Sequence, residues 1–240
     1  MFRLWPLAVF ALSCAGASPA PDAGHDAGTP HASAALQACA AFVSSGEVST
    51  IFSAVERLNT LPEPVTPACF VASLPRPLDA VATISVVSAQ PAAGRDSPRV
   101  FLLLPGLVVS VVPDGDGATL LEFAEWTTSL RTLKGELKFP LQRPLPLDAP
   151  LTRVHSNLGV TTCGLCHRNE TPHDSIDGGF VSAAFRPDPG TLVPIAELAQ
   201  RHAECPAGES TPRCEVLHAL FDFGALKQGA FSPDVELFIQ

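Results

Sequence analysis

The sequence predicts an α+β fold. An antiparallel β-sheet, closed or packed as a sandwich, follows a helical lead-in and precedes a C-terminal helical segment. Three observations predict it. Apolar residues recur at three- and four-residue steps over 34–61. Short β-branched or alternating runs, bounded by Gly and Pro, fill 66–158. The helical period returns after Pro194. At 46% hydrophobic, a chain of 240 residues buries a sizeable core.

In chain order, Met1-Phe2-Arg3 supplies a positive charge, an apolar run follows to Leu12, and small residues come next. Residues 1–17 therefore read as a secretory signal, too short to span a bilayer. Ala15-Gly16-Ala17 fits ordinary cleavage. Ala11-Leu12-Ser13-Cys14 resembles a bacterial lipobox, which would acylate Cys14 and make it the first mature residue. The brevity of the signal favours the lipoprotein, attached to a membrane only through its N-terminal lipid. Residues 18–33 are rich in Ala, Pro, Asp and Gly and read as a disordered tether. His25 and His31 within it are expected to be solvated.

Leu36, Cys39 and Ala40, then Ile51, Phe52, Val55 and Leu58, mark the helical lead-in. Gly46 divides it, and Pro62 and Pro64 end it. Strands are expected near 81–87, 100–104, 107–112, 119–123 and 130–139. Asp114-Gly115-Asp116-Gly117 is a hairpin turn, without the further oxygen ligands of a calcium loop. In the last run Leu133 and Leu137 alternate with Lys134, Glu136 and Lys138, so the polar set is expected on an exposed face. Glu122 and Glu125 read the same way, and Trp126 either lines a sugar or haem face or, the commoner case for a lone Trp, belongs to the core. Residues 140–150 look like a proline-rich extended spacer. This region balances eight basic against eight acidic side chains. It has no phosphate loop, hydrolase elbow or His-Glu-x-x-His pair.

Cys163-Gly164-Leu165-Cys166-His167 is the chain's chemical motif. Cys-x-x-Cys-His is the c-type haem attachment signature: two thiols add across the haem vinyl groups, and the adjacent His ligates iron. A redox disulfide would want a thioredoxin-like setting and leaves His167 unexplained. Zinc would want a second close pair, and Cys205 and Cys214 are too widely spaced. On Cys163, Cys166 and His167 the chain resembles the c-type cytochromes with one covalently attached haem. The resemblance implies haem c, His167 as the proximal iron ligand, assembly outside the cytoplasm and a redox partner protein. Such proteins usually set a helix before the motif, where this chain reads as strand or loop. They usually also supply a distal Met. The only methionine here is Met1, which leaves with the signal. The sixth position then falls to His155, His173, His202 or His218, to another group, to water, or stays open. A low-potential bis-His or five-coordinate site is expected.

Six cysteines remain once Cys14 is set aside. With Cys163 and Cys166 on haem, the natural pairs are Cys39–Cys69 and Cys205–Cys214, although four cysteines allow three pairings. Loop-closure entropy gives roughly 3.5 kcal/mol for the first and about 2.5–3 for the second. Further on, Phe180 and Phe185 either wall a haem or pack ordinarily, and Arg186 pairs with a propionate or a neighbouring Asp. A helix over 194–204 carries His202, and a second, opened by Pro212 and closed at Gly224, carries His218. Residues 231–240 are expected to add a strand. Residues 160–240 hold five basic and eleven acidic side chains. That balance argues against nucleic acid and against an anionic surface.

The expected organisation is a signal (1–17), a tether (18–33), a helical lead-in with an antiparallel β domain (34–158) and a haem-attachment segment with a helical hairpin (159–240). The expected function is that of an exported, periplasmic or membrane-tethered haem-binding protein in electron transfer or haem-based sensing. It reads as an electron carrier or binding protein rather than an enzyme in its own right. The alternative is a secreted binding module with three disulfides and no cofactor.

Overall fold

A computed structural model describes residues 31–42 and 46–238. The signal, the lipobox at Cys14, His25 and most of the tether lie outside the described residues. The fold is α+β, as the sequence predicts.

Five strands form a continuous antiparallel meander: β1 (Leu78–Thr83), β2 (Arg99–Leu104), β3 (Leu107–Val111), β4 (Leu120–Thr128) and β5 (Arg131–Lys138). The C-terminal segment adds β6 (Thr171–Pro172), β7 (Phe180–Ala183), β8 (Phe185–Arg186), β9 (Leu192–Val193), β10 (Leu226–Gln228) and β11 (Glu236–Leu237). The main sheet runs β10-β1-β2-β3-β4-β5-β7-β6, with β9 also on β1, and β8 pairs β11 separately. The β1–β10 pair is parallel, so the sheet is mixed rather than purely antiparallel, and open rather than closed. The first strand ends at Thr83, short of the expected Val87.

Six helices complete the fold: α1 (Ala34–Ala41), α2 (Ile51–Thr60), α3 (Pro67–Ala72), α4 (Ala149–Val154), α5 (Ile195–Ala203) and α6 (Pro212–Phe221). Local chemistry starts them. Thr50 and Ser53 form a capping box on α2. Thr66 and Thr211 cap α3 and α6, each followed by a proline in the first turn, where its missing N–H costs nothing. The Glu125 carboxylate accepts from the Ile51 amide at 2.8 Å, so an anion sits at the positive end of α2. Among the described residues no helix is long and apolar enough to cross a membrane.

Strand period divides the sheet into two faces. Cross-strand partners share a face, and one set is apolar: Val100 opposite Val111, Leu102 opposite Val109, Leu121 opposite Leu137. These join Phe70, Ile51, Leu58 and Leu220 in the core under the helices. Gly135 lies on this side because a Cβ there would come within 2.9 Å of Pro150 in α4. The disulfides Cys39–Cys69 and Cys205–Cys214 are both present, tying α1 to α3 and α5 to α6.

Candidate cofactor pocket

The second face carries Thr83 opposite Arg99, Phe101 opposite Ser110, Glu122 opposite Glu136, Ala124 opposite Lys134, and Trp126 opposite Thr132. The sequence pattern assigns such a face to solvent. Here the C-terminal segment covers it. Residues 162–167 and 184–187, with Phe231 and Phe238, roof a cavity of about 160 Å³ that opens to solvent along one side. Trp126 lines this cavity instead of joining the core.

The motif sits in the roof. Cys163–Leu165 form one 3-10 turn, and the Cys166 and His167 amides both donate to the Cys163 carbonyl, at 3.1 and 2.8 Å. Glu170 closes the loop, accepting from the Thr161 amide at 2.7 Å and from the Thr161 hydroxyl. A Cβ at Gly164 would fall 2.8–2.9 Å from that carboxylate, so Gly164 lets the turn close on Glu170. Thr161 is 1% exposed, and Glu170→Ala leaves its amide and hydroxyl unsatisfied. The expected loss is about 1–3 kcal/mol, read as a lower urea midpoint; an unchanged midpoint would show that the loop closes without Glu170.

Cys163 and Cys166 are both free thiols, the first half-buried and the second exposed. His167 Nδ1 lies 2.8 Å from the Ala183 carbonyl. A carbonyl only accepts, so Nδ1 carries the proton and Nε2 keeps its lone pair. The ring stacks on Phe185 at 5.2 Å, and Phe185 packs against Phe238. Burial, and then the Lys134 charge, push the His167 pKa down to about 3, so the imidazole is neutral. Burial, with Glu122 adding, pushes the Cys163 thiol up to about 11.

Lys134 is the residue that sequence reasoning passed over. It is 7% exposed, lines the cavity with Cys163 and His167, and forms no hydrogen bond or ion pair with another described residue. Burial brings its pKa down to about 8, with Cys163 and Glu122 opposing the shift. Glu122, the acid best placed to neutralise it, already holds Arg99 in an ion pair.

The four histidines read as distal candidates lie elsewhere. His155 and His173 line a separate cavity with Phe180. His155 contacts the Gly178 carbonyl, and His173 Nδ1 accepts from the Ser175 and Ile176 amides. His202 and His218 meet each other between α5 and α6. Of the two phenylalanines proposed as walls, Phe185 reaches the motif and Phe180 packs on His155. Arg186 donates to the Val235 carbonyl.

No protein-family model, no curated protein and no solved structure matches this chain.

The donor set fits a covalently held haem: two uncommitted thiols, a neutral imidazole with its second nitrogen tied to the backbone, and an aromatic wall beside it.

Proposed function

We propose that the chain is an exported c-type haem protein, acting in one-electron transfer or in haem-based sensing of a small ligand. The observation that carries this reading is the His167 Nδ1–Ala183 contact beside two unpaired thiols. A backbone carbonyl that holds one ring nitrogen in this way orients a metal-ligating histidine and leaves its other nitrogen free for the metal. Cys163 and Cys166 would hold the haem through thioether bonds, and His167 Nε2 would ligate its iron. A haem held there supplies a one-electron iron centre whose potential depends on its axial ligands and burial.

The remaining roles belong to the chain. Phe185 and Phe238 fix the imidazole plane and keep water from that side. The cavity's open side gives a macrocycle room and leaves an edge in solvent. Lys134 offers a further nitrogen in the cavity, with a lone pair once it loses its proton. The two disulfides and the export signal support a periplasmic or membrane-tethered location. A redox partner protein is implied for the electron-transfer role.

Periplasmic expression with haem-maturation machinery tests the reading. The expected product keeps its haem through denaturation. Its spectrum lacks the far-red Met–iron band, since the sequence supplies no Met beyond Met1. Carbon monoxide then separates the two roles: binding to the ferrous form favours sensing, and refusal favours electron transfer. A colourless protein whose mass shows three disulfides would end the haem reading in favour of a stapled binding module.

A further inference from the structure

A second group of ligating side chains lies in the α5–α6 hairpin, outside the haem pocket. His202 stands in the last turn of α5, and His218 and Asp222 stand four residues apart at the end of α6. The Cys205–Cys214 disulfide closes the connection between the two helices. His218 is fully buried, the Asp222 side chain is 6% exposed and that of His202 18%.

Four polar atoms of three side chains converge. His202 Nε2 lies 2.8 Å from Asp222 Oδ1, His218 Nδ1 lies 3.2 Å from Asp222 Oδ2, and the two ring nitrogens are 3.2 Å apart. With the Asp222 carboxylate ionised, no placement of protons satisfies all three contacts. With a proton on each nitrogen, two N–H groups oppose each other. With a proton on one, the other turns its lone pair toward a carboxylate oxygen. With none, three lone pairs converge. A cation would satisfy all three at once. Zinc–nitrogen bonds of about 2.0–2.1 Å separate tetrahedral ligands by about 3.3 Å, close to these spacings.

The surroundings are those of a held ligand set. The Pro206 carbonyl faces the His218 ring and the Ala32 amide faces the Asp222 carboxylate. Phe221 stacks on His202 at 5.3 Å. His31 arrives from the tether, its ring 6.1 Å from His202 and 6.2 Å from His218, and its carbonyl accepts from the Gly208 amide at 2.7 Å.

The geometry points to a structural site for a divalent, imidazole-preferring cation of the zinc class, ligated by His202, His218 and Asp222, with His31 as the fourth ligand. Three imidazoles and one carboxylate suit zinc better than calcium or magnesium. Binding would pin the end of the tether to the helical hairpin. The site is independent of the haem reading.

The test uses the chain with Cys163→Ser and Cys166→Ser, so that the motif thiols cannot supply ligands. After chelator treatment, Zn²⁺ alone is titrated by calorimetry, and Co²⁺ reports geometry by its absorption. The expected result is one Zn²⁺ per chain, a higher melting temperature and a tetrahedral cobalt spectrum. His202→Ala is expected to abolish binding. His31→Ala, at the margin of the fold, is expected to weaken it by more than about tenfold, no less than the loss of an outer-shell partner costs. Circular dichroism confirms that each variant is folded. Absence of zinc uptake by the folded protein overturns the site, and so does an unchanged affinity in the His31→Ala variant.

Discussion

On the proposed haem reading, the double variant Cys163→Ala/Cys166→Ala is expected to carry no covalent haem while the protein stays folded. Neither thiol belongs to a disulfide. The motif occupies one short turn in the roof of the cavity and contributes nothing to the core under the helices. Removing both sulfurs therefore costs about 1 kcal/mol or less per site, on the scale of one buried methylene. The attachment is binary: without a thiol no thioether forms. Haem staining on a denaturing gel and intact mass read the loss, and near-UV circular dichroism reads the fold. Single variants are expected to keep one thioether and some stain. Stain that persists in the double variant would show the haem to be attached elsewhere.

Lys134→Met is expected to stabilise the haem-free protein near neutral pH. The ammonium is buried and pairs with no other described residue, and burial lowers its pKa from 10.5 to about 8. That difference is roughly 3 kcal/mol as an upper figure, and about 1–3 is expected, since Met fills the same space without a charge. The pH dependence carries the signature. Below pH 8 the folded and unfolded chains both hold the proton, so the cost of burial is fully present. From about 8 to 10.5 the folded chain has released it and the unfolded chain has not, so stability rises with pH. Cys163 works the other way, because its folded pKa of about 11 exceeds the ordinary thiol value of 9.0, and stability falls between the two. His167, depressed to about 3 from 6.5, removes stability as pH drops below 6.5, where the unfolded chain binds the proton first. Urea midpoints at pH 7 and pH 10 isolate the lysine. The variant's advantage is expected to be large at pH 7 and to shrink by pH 10. A variant less stable than wild type at pH 7 would show that the ammonium has a partner in solution.

The same lysine shows where sequence reading stops. Helices α2, α5 and α6 are visible as apolar residues at helical steps, with a proline before or within the first turn of the last two. Strand β4 is visible as an apolar run after a Gly-rich turn, and β5 through its alternation. Short elements are not. The first-turn prolines of α3 and α4, Pro67 and Pro150, read as breakers outside a longer periodic run. Two-residue strands such as β8 and β11 have no period at all. The parallel pairing of Leu78 with Leu226 joins residues far apart in the chain and has no local signal. Within the site, the motif and both disulfide pairs were legible from residue type and spacing. Lys134 was not, because alternation assigns it a face without saying what covers that face. Phe185, Phe231 and Phe238 do so, and none of them is near Lys134 in sequence.

Strand β1 holds β2 on one side and, on the other, β10 along its first half and β9 along its second. The C-terminal segment is thus woven into the sheet at both ends, since β7 and β6 extend the opposite edge. A tail tied in this way is not a detachable module. Residues 34–158 expressed alone would present two bare sheet edges and an uncovered second face, and are expected to aggregate on size exclusion. The motif, cut free, would lose the Ala183 carbonyl's fixed position opposite the sheet and the wall that Lys134 provides. The Cys-x-x-Cys-His pentapeptide can be transplanted as a sequence, but its pocket exists only where both ends of this chain have come together.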